Sequence, residues 1–129
     1  LGTYVLRSGF QDQYYLRAQK IRTAIRNDFT SLFSKVDVLL TPAFPTSAFE
    51  HGSAEMDPFR QKLADKFTGT ANLAGIPALS FPVGVDAGVP IGMQLLAPFF
   101  AEQRLFEVAE RYAEAYPVPD CPGCHEEWS

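Results

Sequence analysis

Pro82 lies inside the apolar run Ala78-Leu-Ser-Phe-Pro-Val83, and it constrains the fold more than any other residue. A proline has no N–H to give to a sheet ladder, so its strand belongs at an edge or carries a bulge. The approach to this run, Thr70-Ala-Asn-Leu-Ala-Gly-Ile-Pro77, is poor in bulk, which is what close backbone approach to another element requires. Ile91–Ala97 reads as a second strand. The intervening Gly84-Val-Asp-Ala-Gly-Val-Pro90 is turn-rich and short enough for an antiparallel hairpin.

Upstream, Tyr14, Ala18, Ile21, Ile25, Phe29 and Leu32 recur at spacings of three and four, the stripe of an amphipathic helix over 11–33. Arg17, Lys20, Arg22, Arg26 and Asp28 fall off that stripe. Cationic residues commonly fill solvated helix faces, so a solvated face is expected here rather than a phosphate site. Val36-Asp-Val-Leu-Leu40 reads as a buried strand stopped by Thr41-Pro42. Residues 42–58 form a long proline-containing loop, either lining a site or wrapping the surface. Pro58–Phe67 is helix-compatible with Asp57 as N-cap, and Thr70–Ala74 reads as a second short helix ending at Gly75. Glu102–Tyr116 is amphipathic, with Leu105, Val108, Ala109, Tyr112, Ala113 and Tyr116 inward and Glu107 and Arg111 paired on the outer face. Pro117 and Pro119 end it.

The whole is α/β. Its 129 residues suffice for one domain, and 47% hydrophobic with 20% charged residues is a globular balance. A net charge of -4 argues against a general nucleic-acid binder. No apolar run approaches the roughly 20 residues of a membrane span, so no membrane contact is expected. The opening Leu1-Gly-Thr-Tyr4 has no charged region followed by an apolar one, so no secretory leader is expected in it. Without an initiator Met and with a helix-like pattern already under way, it suggests a chain cut from a longer one. Two cysteines, both near the end, make a reducing, cytoplasmic setting the default.

Those cysteines form Cys121-Pro-Gly-Cys124-His125, which matches the C-x-x-C-H pattern of haem attachment. As a zinc site it offers three ligands of the four needed, and the other histidine, His51, lies in the distant loop. An incidental tail over 120–129 is expected, with a metal or haem module as the alternative. No serine stands in a G-x-S-x-G context, and neither histidine has a triad setting. No nucleophilic constellation is therefore expected in this segment, which reads as a structural or substrate-contacting part of something larger.

Four segments, "LGTYVLRSGFQDQYYLRAQKIRT", "VDVLLTPAFPTSAF", "NLAGIPALSFPVG" and "PIGMQLLAPFFAEQRLFEVA", occur in an order and spacing that resemble the C-terminal region of the amidase signature family. Within it they are most similar to the A subunits of glutamyl-tRNA(Gln) amidotransferases. The likeness runs from Leu1 to about Tyr116, so residues 1–119 are taken as amidase segment. It implies the C-terminal part of an α/β/α domain around a mixed sheet. It also implies that the family's Lys-Ser-Ser triad lies in the N-terminal half, with the arginine for the substrate carboxylate just upstream of Leu1. This segment alone is then inactive.

The activity implied is ammonia release from glutamine, the ammonia being used by a partner subunit of a heterotrimeric complex to amidate Glu-tRNA(Gln). ATP and magnesium belong to that partner, and no cofactor is implied for this segment. The substrate-binding residue carried over is Asp65, seven positions before Asn72, as the carboxylate that holds the α-amino group of the substrate. The alternative for Asp65 is a solvated helix carboxylate. Arg7, Phe10 and Ala101 depart from the family pattern, the last by leaving the final helix without a side-chain cap.

Overall fold

A computed structural model of the chain describes residues 11–47 and 58–118, with side chains from 14–47 and 66–118. Six elements follow in order: α1 (Gln11–Phe33), β1 (Leu39–Pro42), α2 (Pro58–Ala74), β2 (Ala78–Asp86), β3 (Val89–Leu96) and α3 (Glu102–Ala115). The strands form one sheet in the order β1-β3-β2, antiparallel at both junctions.

Both prolines obey the ladder rule. Pro82 lies on an outer strand of the described sheet and at a register shift between Pro82 and Gly84. Pro42, expected to stop β1, belongs to it and pairs with Met93. The Ala43 amide donates to the Gly92 carbonyl. Residues alternate along a strand, so the Pro42 nitrogen faces away from β3 and no ladder bond is lost. β1 also begins later than Val36: Val36 and Asp37 precede the sheet, and Val38 packs against the Leu95 cluster.

The hairpin is tighter than the sequence suggests. β2 runs on to Asp86 and β3 starts at Val89, leaving Ala87 and Gly88 as the turn, with φ of 50° and 82°. Two positive φ values define a type I′ turn, which matches strand twist and favours Asn-Gly. A left-handed alanine costs about 1–2 kcal/mol, and asparagine tolerates that conformation better. Ala87→Asn is therefore expected to stabilise the chain by about 0.5–1 kcal/mol. A urea midpoint that does not rise would refute this.

Successive β3 residues face opposite sides of the sheet. On one side Leu96 joins Ala71, Ala74 and Ile76 of α2 and its following turn, with Ile25, Phe29 and Phe33 of α1 and Leu39 against them. On the other, Leu95 and Ala97 meet Leu105 of α3, with Val38, Leu79, Phe81 and Ala109. Helices thus cover both faces, the α/β layering expected. Tyr112 of α3 stands edge-on to Phe81 at 5.3 Å and donates its hydroxyl hydrogen to the Val83 carbonyl at 3.1 Å, at the bulge.

Three helix readings change. α2 is one continuous helix through Gly69, not two; the interior glycine costs about 1 kcal/mol against alanine, which burial of Ala71 and Ala74 offsets. It begins at Pro58 as expected, while Asp57 lies outside the described residues. In α1 the packed edge is the half-buried Ile25, Phe29 and Phe33, whereas Tyr14, Ile21 and Leu32 are exposed. In α3 Glu107 accepts from Gln103 at 2.9 Å instead of pairing with Arg111, Val108 and Tyr116 are exposed, and Ala101 gives no side-chain cap.

Candidate functional site

The small residues Ala71, Ala74 and Gly75 let α1 lie close against the end of α2. Gly75 has φ +74° and closes the helix, its own amide and that of Ile76 both donating to the Ala71 carbonyl. The Ile76 bond is the six-to-one closure of a Schellman turn, with Ile76 and Ala71 in one cluster. α2 has no basic residue in its last turn. Arg22 and Arg26 of α1 supply the charge instead: Arg22 Nε donates to Leu73 O at 2.9 Å and Arg26 Nε to Ala74 O at 3.2 Å. Cations at a helix C-terminus satisfy its last carbonyls and oppose its dipole. Arg26 also lies over the Phe99 ring, 5.1 Å from its centre. The face read as merely solvated thus docks two of its arginines. Periodicity marks which residues leave the stripe, not whether a second helix end waits for them.

Toward the N-terminal half of α2 the floor changes character. Leu39, Leu96 and Ala78 make one cross-strand row; Thr41, Gln94 and Ser80 make the next on the same face. Gln94 is buried, 3% exposed, and its side-chain amide donates to Thr41 Oγ1 and to the Phe67 carbonyl of α2, each at 3.4 Å. Burying an amide is costly unless it is hydrogen-bonded, and this one has a partner for each proton. Two residues further along β3 is Gly92, where an open groove of about 560 Å³ begins, lined by residues 43–47, Asp86 and Pro90–Gly92.

The direction of α2 over this floor follows from its contacts. Ala71 and Ala74 lie at the level of Leu96, and Phe67 at the level of Gln94. A strand rises about 3.4 Å per residue and a helix about 1.5 Å, so two strand residues match roughly four or five helix residues. Asp65 is two residues before Phe67 in α2, on the side of Phe67 away from Ala71 and Ala74. Its side chain is not among those described. The arrangement offers a polar floor, a helix carrying one carboxylate across it, and an open groove beyond. That set can bind a small polar molecule; it holds no nucleophile paired with a base. Gln94 and Thr41 were not singled out from the sequence, where Gln94 reads as one polar residue in an otherwise apolar strand.

Cys121, Cys124, His125 and His51 lie outside the described residues. Among the described residues no group of three or more His, Cys, Asp or Glu is placed to hold a metal ion. None of the described helices is long and apolar enough to cross a membrane.

Comparison with known proteins adds the lineage. The Amidase family profile matches residues 1–106. The A subunit of the glutamyl-tRNA(Gln) amidotransferase of Pseudomonas aeruginosa (strain LESB58) is 53% identical over 114 residues, 88% of this chain and 24% of that protein. The protein of the same name from Synechococcus sp. (strain RCC307) is 49% identical over 127 residues, 95% of this chain and 26% of its own length. The crystal structure of the Thermotoga maritima counterpart, again the A subunit of this amidotransferase, superposes with a TM-score of 0.78 at 35% identity, covering 90% of this chain and 25% of that one. The chain thus spans about a quarter of the length of the relatives it matches. The order of its helices and strands, its layered α/β core and these matches lead to one conclusion: the chain belongs to the amidase family.

Proposed function

We propose that this chain is the C-terminal segment of the glutamine-hydrolysing A subunit of a glutamyl-tRNA(Gln) amidotransferase, working in the cytoplasm. The observation that carries the reading is the 53% identity over 88% of the chain to a protein of that name, against 25% to the crystal structure of an amidase at TM-score 0.67. In this reading the segment forms one wall of the glutamine site. Asp65 holds the substrate α-ammonium by a charge-assisted hydrogen bond, on a helix fixed by Gln94 at one level and by Arg22 and Arg26 at its end. Acyl transfer at the carboxamide needs a nucleophile with its base, supplied by the remainder of the polypeptide. The ammonia passes to a partner subunit, which uses ATP and magnesium to amidate Glu-tRNA(Gln).

A chimera tests this. The segment replaces the matching quarter of the Pseudomonas aeruginosa protein, and the chimera is assembled with that organism's partner subunits. Glutamine-dependent amidation within about tenfold of the parent is the expected result, since a tenfold change is only about 1.4 kcal/mol of transition-state binding. A chimera that amidates Glu-tRNA(Gln) from supplied ammonia but not from glutamine would overturn the reading and favour another small amide as substrate.

A further inference from the structure

The amide of Gln94 is an unusual choice for its place. Leu95 and Leu96 beside it are buried apolar residues, and the next row on the same face, Leu39–Leu96–Ala78, is apolar throughout. A methionine or leucine there would pack without the cost of burying an amide. What an apolar side chain cannot do is fix distance and direction. Apolar packing between helix and sheet is non-directional. A hydrogen bond from the central strand to one chosen carbonyl sets the helix at one height over the floor. Gln94 makes such a bond to Phe67 O, and its second proton goes to Thr41 Oγ1 on β1, which ties the neighbouring strand into the same arrangement. Phe67 is two residues from Asp65, about 3 Å along the helix axis.

We propose that Gln94, seconded by Thr41, is a positioning residue for the substrate-amine carboxylate on α2. It sets the height of Asp65 above the sheet and through it the affinity for the substrate. The inference rests on the reading of Asp65 given above.

The experiment uses the chimeric enzyme with Gln94→Met, Thr41→Val, Asp65→Asn and the Gln94→Met/Asp65→Asn pair. Gln94→Met keeps length and removes both donors. It is expected to raise the KM for glutamine about fivefold with kcat within about twofold, as loss of ground-state positioning should. Ammonia-dependent amidation, which does not use the glutamine site, is expected to stay within about twofold. Thr41→Val, a milder change that leaves Gln94 in place, is expected to raise KM about twofold to threefold. It carries the test should Gln94→Met fail to assemble. The paired variant is expected to be no worse than Asp65→Asn alone, because both changes act through one contact. An unchanged KM in both Gln94→Met and Thr41→Val overturns the proposal. So does full multiplication of the two effects in the pair, or an equal fall of the glutamine- and ammonia-dependent reactions. If Asp65→Asn alone leaves KM unchanged, the reading of the site itself falls. If Asp65→Asn acts and Gln94→Met does not, only the positioning role of Gln94 falls.

Discussion

Valine in place of Gly75 is expected to destabilise the chain by about 3 kcal/mol, enough to threaten folding of a domain whose whole margin is of order 5–15 kcal/mol. Two costs combine. At φ +74° any L-residue incurs about 1–2 kcal/mol, and a β-branched one is a strong outlier there. The added Cβ would also stand 3.3 Å from one Arg26 guanidinium nitrogen and 3.8 Å from one of Arg22. Those ends are flexible and can yield, so the second cost is not a collision but the loss of hydrogen bonds to Leu73 O and Ala74 O, about 0.5–1.5 kcal/mol each. Urea unfolding at constant m reads the sum. Gly75→Asn, which accepts the left-handed conformation, is expected to lose less. A valine variant within about 0.5 kcal/mol of the parent would mean that neither the turn nor the arginines matter.

The second large effect belongs to Asp65→Asn in the assembled enzyme. Asparagine keeps the shape and one acceptor but loses the charge. A charged hydrogen bond contributes about 1.5–3 kcal/mol against about 1 for a neutral one. The difference is expected as a fall of roughly tenfold or more in kcat/KM for glutamine. Amidation from supplied ammonia is expected to continue. Undiminished use of glutamine by this variant would make Asp65 a solvated helix carboxylate and void its transfer from the family. A parallel fall of both reactions would point to damaged assembly and count against a binding role.

What the sequence revealed, and what it hid, divides along the range of the interaction. Pro82 told its own position, because a missing N–H is a local fact with one sheet-level remedy, and the outer strand with its register shift supplies it. The α1 helix was legible from its periodicity, but of the stripe only Ile25 and Phe29 pack against the core, while Tyr14, Ile21 and Leu32 stay exposed. Pro42 misled: read as a stop, it sits within β1, because a missing donor matters only on the side that has a partner. Pro58–Phe67 and Thr70–Ala74 read as two helices, yet α2 runs unbroken through Gly69, because packing of Ala71 and Ala74 outweighs the propensity of that glycine. The non-local contacts left no trace in the pattern. Arg22 meets a carbonyl 51 positions away, and Gln94 meets Thr41 53 positions away. Of the site, Asp65 was reached only by resemblance, while the polar row beneath it needed the register of three strands.

The borrowed cap on α2 has a consequence for the order of assembly. A helix whose last turn carries its own lysine or arginine can close that end as soon as it forms. α2 makes the Gly75 turn by itself but lacks the charges: they sit on α1, with β1 between them in the chain. Until a loop of about fifty residues closes, the carbonyls of Leu73 and Ala74 have only water, and the end is free to fray. The two helices are thereby bound into one cooperative unit, and β2 starts at Ala78, only three residues beyond the Gly75 turn. Ordering of the hairpin and seating of the two arginines are therefore expected to be lost together, which amide hydrogen exchange at Gly75, Ile76 and the β2 amides would show as one common opening.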